Sequence, residues 1–302
     1  MAGKVGIIGI GLMGLPMANS LLERGWQVKG YDIAPARRAA LADIGGEVAT
    51  RLAEVAAYSD HLILSLPSGA ALHQVIDQLA AATHAPHVIL ETSTLSIDDK
   101  ERAAATLNRS SGARLLDCPL IGGAVQAKEA TLSALVSGDE TAWREVEPVL
   151  QAISRQQRYV GAFGMSSRLK FVVNHLVSTT TVLIAETMQF ATRAGIDMNL
   201  IHDVIGNSPA ASGIWRARVP LMIAGVYDDP ATKAADLAIP FKDTRIIADY
   251  IASHRAVTPL FDAALKIYAV AEEQQRADQD AAALYEVFGS LATPEGGAGV
   301  TG

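Results

Sequence analysis

The chain has 302 residues, half of them hydrophobic, which is enough for two domains of ordinary size. A net charge of -7, with no concentrated run of Lys or Arg, argues against nucleic-acid binding. The single cysteine, Cys118, excludes an internal disulfide, and no stretch approaches the length of a membrane span, so we expect a cytoplasmic protein without a membrane partner.

The first predicted elements are a strand at residues 4–10, a helix at residues 13–24 and a second strand at residues 27–31. The turn between the first two is Gly9-Ile10-Gly11-Leu12-Met13-Gly14. In a dinucleotide-binding turn the first glycine permits the bend, the second admits a pyrophosphate, and the third lets helix and strand pack closely. Because the glycines stand between a strand and a helix, they predict cofactor binding at positions 9, 11, 12, 13 and 14.

Asp32 stands at the end of the second strand, about twenty residues after the glycines. A carboxylate there can accept hydrogen bonds from the ribose hydroxyls of NAD and would repel the 2′-phosphate of NADP. Arg37 and Arg38 could soften that repulsion, but a solvated helix face is the preferred explanation of both. The sequence therefore favours NAD and leaves NADP possible.

Strands and helices continue to alternate through the first half of the chain. Further strands are expected at residues 61–65, 88–90, 115–117, 132–136 and 159–160, and further helices at residues 70–79, 98–107 and 140–150. This alternation predicts an α/β domain with a doubly wound parallel sheet of the Rossmann type. Ligands of such sheets bind beyond the carboxyl ends of the strands, where we expect a crevice lined by Leu66, Pro67, Ser93, Thr94, Gly122 and Gly123.

One long helix is predicted at residues 164–194, because apolar residues recur there every three or four positions and Gly195 follows. Lys170 and Asn174 are four residues apart, so both side chains leave the same side of this helix. Such a pair could grip a carbonyl or hydroxyl group, although a solvated Lys beside a surface Asn would look the same in sequence.

The second half contains only helical patterns, expected at residues 197–205, 214–223, 231–238, 240–252, 259–275 and 278–288. The tail at residues 291–302 is glycine-rich, and we expect it to be disordered. The sequence thus predicts domains at residues 1–163 and 164–290, joined by the long helix.

Four motifs of this chain resemble those of the β-hydroxyacid dehydrogenase family, in the family's order: residues 9–18, 117–123, 161–174 and 241–243. The resemblance implies an active site between a Rossmann domain and a helical domain, and a homodimer or homotetramer. It implies that Lys170 is the catalytic acid/base and that Asn174 orients the substrate. It also implies that Gly122 and Gly123 hold the substrate, with Ser93 nearby, and that Thr94 and Lys242 contact the cofactor.

The chain departs from the family pattern at three positions. The family usually has Ser in place of Ile121, often Gly in place of Ala130, and Asn in place of Val173. Ile121 removes a hydroxyl donor from the expected substrate-binding set, so a bulkier or less polar hydroxyacid or semialdehyde is expected.

Two alternative functions remain open at the level of sequence. One is an NADPH-dependent imine or semialdehyde reductase on the same scaffold, and the other is a non-catalytic dinucleotide-binding protein. A metal site is not expected, because His84 and His87 have no neighbouring set of Cys or acidic ligands.

Overall fold

A computed structural model describes residues 3–84, 86–229, 232–233 and 235–291. Its contacts divide the chain into two compact units, Met1–Phe171 and Val172–Gly302. The division falls inside the long helix, whereas the boundary predicted from the sequence lies just before that helix. Most of the tail expected to be disordered lies outside the described residues.

The first unit is built on a six-stranded sheet. Its strands are β1 (Lys4–Ile8), β2 (Gln27–Tyr31), β3 (Glu47–Val48), β4 (His61–Leu64), β5 (Val88–Glu91) and β6 (Arg114–Asp117). They lie in the order β3-β2-β1-β4-β5-β6, and every neighbouring pair is parallel. This is the strand order of dinucleotide-binding folds, so the predicted Rossmann architecture is confirmed.

Helices cover both faces of this sheet: α1 (Gly14–Glu23), α2 (Pro35–Asp43), α3 (Leu52–Ala56), α4 (Gly69–Ala80), α5 (Ile97–Ser110), α6 (Ala124–Lys128) and α7 (Glu140–Ile153). Alternate residues of the central strands point to opposite faces. Ile63 and Leu90 pack with α1 and α7, while Leu64 and Ile89 pack with α3, α4 and α5. The sheet is therefore buried between two apolar layers, as parallel sheets require.

The last predicted strands do not join the large sheet, which corrects the expectation of one continuous alternation. They form a second sheet, in the order β7 (Leu120–Ile121), β8 (Ser133–Val136) and β9 (Gln156–Tyr159). The pair β7 and β8 is antiparallel, and the pair β8 and β9 is parallel. Only Cys118 and Pro119 separate β6 from β7, which is too short for a parallel crossover, so the chain turns away from the large sheet.

The described residues of the second unit form helices: the later part of α8 (Met165–Arg193), then α9 (Met198–Gly206), α10 (Gly213–Ala224), α11 (Ala238–Ser253), α12 (Pro259–Glu273), a 3₁₀ turn (Ala281–Ala283) and α13 (Leu284–Leu291). Two predictions need correction. In the helix expected at residues 231–238, the described residues 232, 233 and 235–237 are not helical, and α11 begins at residue 238, slightly before the expected 240. The last helix starts later than residue 278 and is preceded by the 3₁₀ turn. Ala231 and Ala234 of the helix expected at residues 231–238 lie outside the described residues.

The long helix α8 has 29 residues, and an 18-residue window of it reaches a mean hydropathy of 1.2. By length and composition it could cross a membrane, so the expectation that nothing approaches a membrane span was wrong for this helix. This is weak evidence of a span, because the core helix of a soluble protein passes the same test. Gly195 ends the helix in a left-handed conformation, as predicted.

Candidate active site

The turn between β1 and α1 requires glycine at two positions for the fold itself. Gly9 has a φ of +90°, and a Cβ there would lie 2.1 Å from the Ser65 oxygen. A Cβ on Gly14 would lie 1.9 Å from the Gly9 oxygen. A Cβ on Gly11, in contrast, would meet no described protein atom within 4 Å. The fold itself therefore requires glycine at positions 9 and 14. It does not require glycine at position 11, where the space beside the main chain is open to a ligand.

The first turn of α1 suits an anionic group. Its N-cap residue, Met13, makes no side-chain capping bond, and the turn carries no acidic residue. The first N–H groups of any helix lack acceptors within the helix, and the helix dipole adds partial positive charge. Together with the open Gly11, this end of α1 fits the pyrophosphate of a dinucleotide.

Asp32 lies directly beyond β2 and is held beside the glycine turn. Its two carboxylate oxygens accept from the N–H groups of Ile10 and Ala34, each at 2.8 Å. Arg38 donates to the main-chain oxygen of Asp32 at 2.6 Å, so this arginine is not simply a solvated surface residue. Since each carboxylate oxygen can accept more than one hydrogen bond, Asp32 keeps the capacity to bind ribose hydroxyls.

The loops after β4 and β5 meet at the same carboxyl edge of the sheet. The N–H of Leu66 donates to Ser93 Oγ at 2.7 Å, and the N–H of Ser93 donates to Glu91 Oε1 at 3.0 Å. Pro67 is exposed beside Leu66, and Thr94 is half-buried beside Ser93. Residues predicted from two separate loops, 66–67 and 93–94, are therefore neighbours along one edge of the first unit.

Lys170 lies on the first turns of α8 and is almost fully buried, with 8% of its surface exposed. Its Nζ donates to the main-chain oxygen of Leu120 at 2.7 Å. Leu120 and the half-buried Ile121 form β7, which precedes Gly122 and Gly123. The alternative of a solvated Lys170 is therefore wrong, and the structure brings this side chain to the predicted substrate loop.

The two glycines of that loop differ from each other. Gly122 is exposed, with a φ of +125°. Gly123 is the N-cap residue of α6, and its N–H donates to Gln126 Oε1 at 2.9 Å. An anion that binds the N–H of Gly123 would have to displace the exposed Gln126 side chain.

In the second unit, Asn174 Nδ2 donates to Asp243 Oδ2 at 2.9 Å. Asp243 is only 5% exposed, and its other oxygen lies 3.0 Å from Lys242 Nζ. Asp243 therefore fixes the orientation of the Asn174 amide, so that its carbonyl oxygen is the atom directed away from this carboxylate. No role for Asp243 was predicted from the sequence.

A cluster of three fully buried charges, Glu91, Lys100 and Asp117, was not predicted from the sequence. We call it the buried ion-pair cluster. Lys100 Nζ lies 2.7 Å from Glu91 Oε2 and 2.9 Å from Asp117 Oδ1. Burial alone would lower the pKa of the Lys100 ammonium, but the two carboxylates outweigh it and raise that pKa above its usual value. One signal was available: Lys100 lies on the same helical stripe as Ile97, Ala103 and Leu107, all of them buried.

Cys118 is completely buried beside Asp117. Burial, followed by the negative charge of Asp117, raises the pKa of its thiol well above the usual range. The thiolate form is therefore scarce at neutral pH, and Cys118 is a packed side chain rather than a nucleophile. Among the described residues, no group of three His, Cys, Asp or Glu side chains could hold a metal ion.

Comparison with known proteins gives matches over nearly the whole chain. The family model of the NAD binding domain of 6-phosphogluconate dehydrogenase matches residues 4–161. The model described as the NAD-binding domain of NADP-dependent 3-hydroxyisobutyrate dehydrogenase matches residues 164–288.

Individual relatives agree with the family models. A probable 3-hydroxyisobutyrate dehydrogenase of Mycobacterium bovis is 30% identical over 88% of this chain and 91% of its own length. An L-threonate dehydrogenase of Escherichia coli is 28% identical over 96% of each chain. The solved structure of Mycobacterium tuberculosis 3-hydroxyisobutyrate dehydrogenase with L-serine superposes with a TM-score of 0.84 at 28% identity, covering 97% of this chain and 100% of that one.

Proposed function

The chain belongs to the β-hydroxyacid dehydrogenase family and is an NAD(P)-dependent oxidoreductase of hydroxyacid substrates, and from this premise we propose that Lys170 is its catalytic acid/base. The observation that carries the proposal is the buried Lys170 Nζ, which is held by the main-chain oxygen of Leu120 in the loop before Gly122 and Gly123. A long cationic side chain is rarely buried without a specific reason.

The proposed chemistry divides between the cofactor and the protein. A bound nicotinamide supplies or accepts the hydride. In the direction of reduction, Lys170 Nζ gives a proton to the substrate carbonyl oxygen, and in oxidation it takes the proton from the hydroxyl. Asn174 is one helical turn further along α8, and its carbonyl oxygen accepts from a substrate hydroxyl while Asp243 holds the amide nitrogen.

We assign the cofactor site to the glycine turn and the neighbouring loops. Gly11 admits the pyrophosphate to the start of α1, and the first-turn N–H groups near Leu12 and Met13 bind it. Asp32 accepts from the ribose hydroxyls, which favours NAD over NADP. Leu66, Pro67 and Thr94 then line the nicotinamide side, with Lys242 as a further cofactor contact.

The substrate proposed is a hydroxyacid or the corresponding semialdehyde with an apolar substituent. Gly122 and Gly123 hold its carboxylate with their N–H groups, and Ser93 lies at the same edge of the sheet. Ile121 contributes a branched apolar side chain next to Leu120, the residue that anchors Lys170. An apolar group on the substrate gains contact there, whereas a polar one loses solvation.

A homodimer or homotetramer in the cytoplasm completes the proposal. The oligomer is supported by a row of exposed apolar side chains along α8, spaced by three, four and seven residues: Leu169, Val172, Leu176, Leu183 and Phe190. Four of the five are more than half exposed in the single chain. Such a row suits a second helix packed against it.

A panel of substrates tests the proposed function. Purified protein is mixed with NADH or with NADPH, and one candidate substrate is added to each mixture. The candidates are short unbranched semialdehydes, branched semialdehydes and cyclic imines, and the absorbance of the reduced nicotinamide is followed. The proposal expects turnover of semialdehydes with NADH, highest for those with an apolar substituent. Turnover of imines alone with NADPH would replace it with the imine reductase alternative, and binding of cofactor without any turnover would indicate a non-catalytic protein.

A further inference from the structure

Asp117, at the end of β6, contacts both chain segments that determine where the Lys170 amine lies. It accepts from the start of α8 twice, since Ser167 N donates to Oδ2 at 2.8 Å and Ser167 Oγ donates to Oδ1 at 2.7 Å. Ser167 is one helical turn before Lys170. Asp117 also begins the segment that leads, three residues later, to Leu120, whose oxygen accepts from Lys170 Nζ. One buried carboxylate thus ties the helix carrying the amine to the segment carrying its anchor.

A further hydrogen bond holds this carboxylate from the second sheet. Ser137 Oγ donates to Asp117 Oδ2 at 3.1 Å, and the main chains of Asp117 and Ser137 are paired in both directions. The carboxylate is completely buried, so each bond forms without competition from water. The position of Asp117 is therefore determined by the sheets and is not set by Lys170.

Lys100 makes this arrangement possible by balancing charge. Two carboxylates, Glu91 and Asp117, share its single ammonium, and all three side chains are 0% exposed. The net charge of the cluster is one negative unit, and the start of the 29-residue helix α8 brings partial positive charge to Asp117. Without Lys100, two uncompensated carboxylates would remain in the interior, which is strongly unfavourable.

The cluster also reaches the loops assigned to the cofactor. Glu91 Oε1 accepts from the N–H of Ser93, and Ser93 Oγ accepts from the N–H of Leu66. Glu91 therefore sets the ends of the loops after β4 and β5, while Asp117 sets the start of α8. Lys100 joins the two carboxylates, so one connected set of bonds extends from the cofactor loops to the turn before Lys170.

We propose that Glu91, Lys100 and Asp117 are positioning residues. Asp117 fixes Ser167 and Glu91 fixes Ser93, so that Lys170 Nζ keeps a constant position relative to the cofactor loops. This inference rests on the proposed function of Lys170 as the acid/base. The cluster does not touch the substrate in this account. It acts through Ser167 and through the segment that ends at Leu120.

The chain offers a matched pair of variants for the test. Ser167→Ala removes one of the two bonds from α8 to Asp117 and leaves the cluster of charges intact. Ser166→Ala makes the same change at the neighbouring buried position, where the Oγ has no hydrogen-bond partner among the described residues. Lys100→Met leaves two buried carboxylates without their cation, which can prevent folding. The positioning role is therefore judged from the two serine variants.

The readouts are kcat, the KM for NADH, and the solvent isotope effect on kcat in D₂O with the substrate that the panel identifies. The isotope effect does not depend on the amount of folded enzyme, so a purely structural role would not change it. Misplacing a catalytic group by about 1 Å can cost up to about 10²-fold in rate. We expect Ser167→Ala to lower kcat roughly tenfold, with an enlarged solvent isotope effect and an unchanged KM for NADH, and Ser166→Ala to match the wild type.

Lys170→Ala and the double variant Ser167→Ala/Lys170→Ala separate the possible failures. If Lys170→Ala turns over normally, the proposed function itself is wrong. If Lys170→Ala is inactive while Ser167→Ala matches Ser166→Ala, only the positioning role is overturned. The positioning role is also overturned if Ser167→Ala lowers thermal stability without changing the solvent isotope effect. If the single change acts through Lys170, it should have no further effect in the Lys170→Ala background.

Discussion

Lys170 Nζ donates a 2.7 Å hydrogen bond to the main-chain oxygen of Leu120, which is fifty residues earlier in the chain. A main-chain oxygen is a fixed acceptor, because its position is set by the pairing of β7 with β8. The bond therefore gives a flexible four-carbon side chain a defined direction. It also brings the amine to the segment that continues into Ile121 and Gly122, where we place the substrate.

The glycine turn provides a test that separates the fold from the ligand. We expect Gly9→Ala and Gly14→Ala to lower the free energy of unfolding by roughly 2–4 kcal/mol, because each Cβ would overlap a main-chain oxygen. Gly11→Ala should leave stability unchanged but weaken NADH binding, since its Cβ faces open space. Urea unfolding and cofactor titration measure the two effects. Equal NADH binding by wild type and Gly11→Ala would contradict the assignment of the pyrophosphate to this turn.

Asp32 should determine the preference between cofactors. Asp32→Ser removes the charge that repels a 2′-phosphate and shortens the group that accepts from the ribose, so the ratio of kcat/KM for NADH over NADPH should fall by roughly tenfold or more. Asp43→Ser removes the same charge at an exposed position of α2 and serves as the control. If the wild-type enzyme already prefers NADPH, the positive charge of Arg38, and not the carboxylate of Asp32, determines the cofactor preference.

Ile121 should bias the enzyme toward substrates with apolar substituents. We expect Ile121→Ser to shift the ratio of kcat/KM toward short polar hydroxyacids by about 10- to 100-fold, the range that a small apolar contact contributes to discrimination. Rates for a branched and an unbranched substrate, measured side by side in both proteins, give this ratio directly. An unchanged ratio would place the variable part of the substrate elsewhere.

Asp243 should act through the Asn174 amide. Asp243→Ala leaves Asn174 Nδ2 without its carboxylate acceptor and frees the amide to turn, so kcat should fall by roughly tenfold. Asp249→Ala removes an exposed carboxylate from the same helix and should have no effect. If both variants keep full activity in steady-state assays, Asn174 does not depend on Asp243 for its orientation.

The sequence predicted the first sheet well, because most of its longer strands contain a short apolar run that is followed by a glycine or polar turn. It missed β3, whose two residues, Glu47 and Val48, are both exposed and carry no buried pattern. It also placed the strands near residues 134 and 158 in the large sheet. The first of them, β8, pairs with β9 and with β7, which is only two residues long, and no periodicity can be detected over two residues.

The site was predictable where function depends on local spacing and hidden where it depends on distant pairing. The glycine turn and the pair of Lys170 and Asn174 show in the sequence because their members are close along the chain. Glu91, Lys100 and Asp117 are separated by nine and seventeen residues and belong to two strands and a helix. Only the folded sheet shows that their charges meet, although a lysine on the apolar stripe of α5 indicates that it must have a buried partner.

The most direct test of the account is the turnover of Lys170→Ala, with and without an added primary amine such as methylamine. We predict that kcat falls by about 10²- to 10⁴-fold, the contribution of general acid/base catalysis, while the KM for NADH stays within about twofold. Added amine should restore part of the rate, because it can enter the space left by the side chain and transfer the proton. Near-normal kcat in Lys170→Ala without any amine would contradict the central claim.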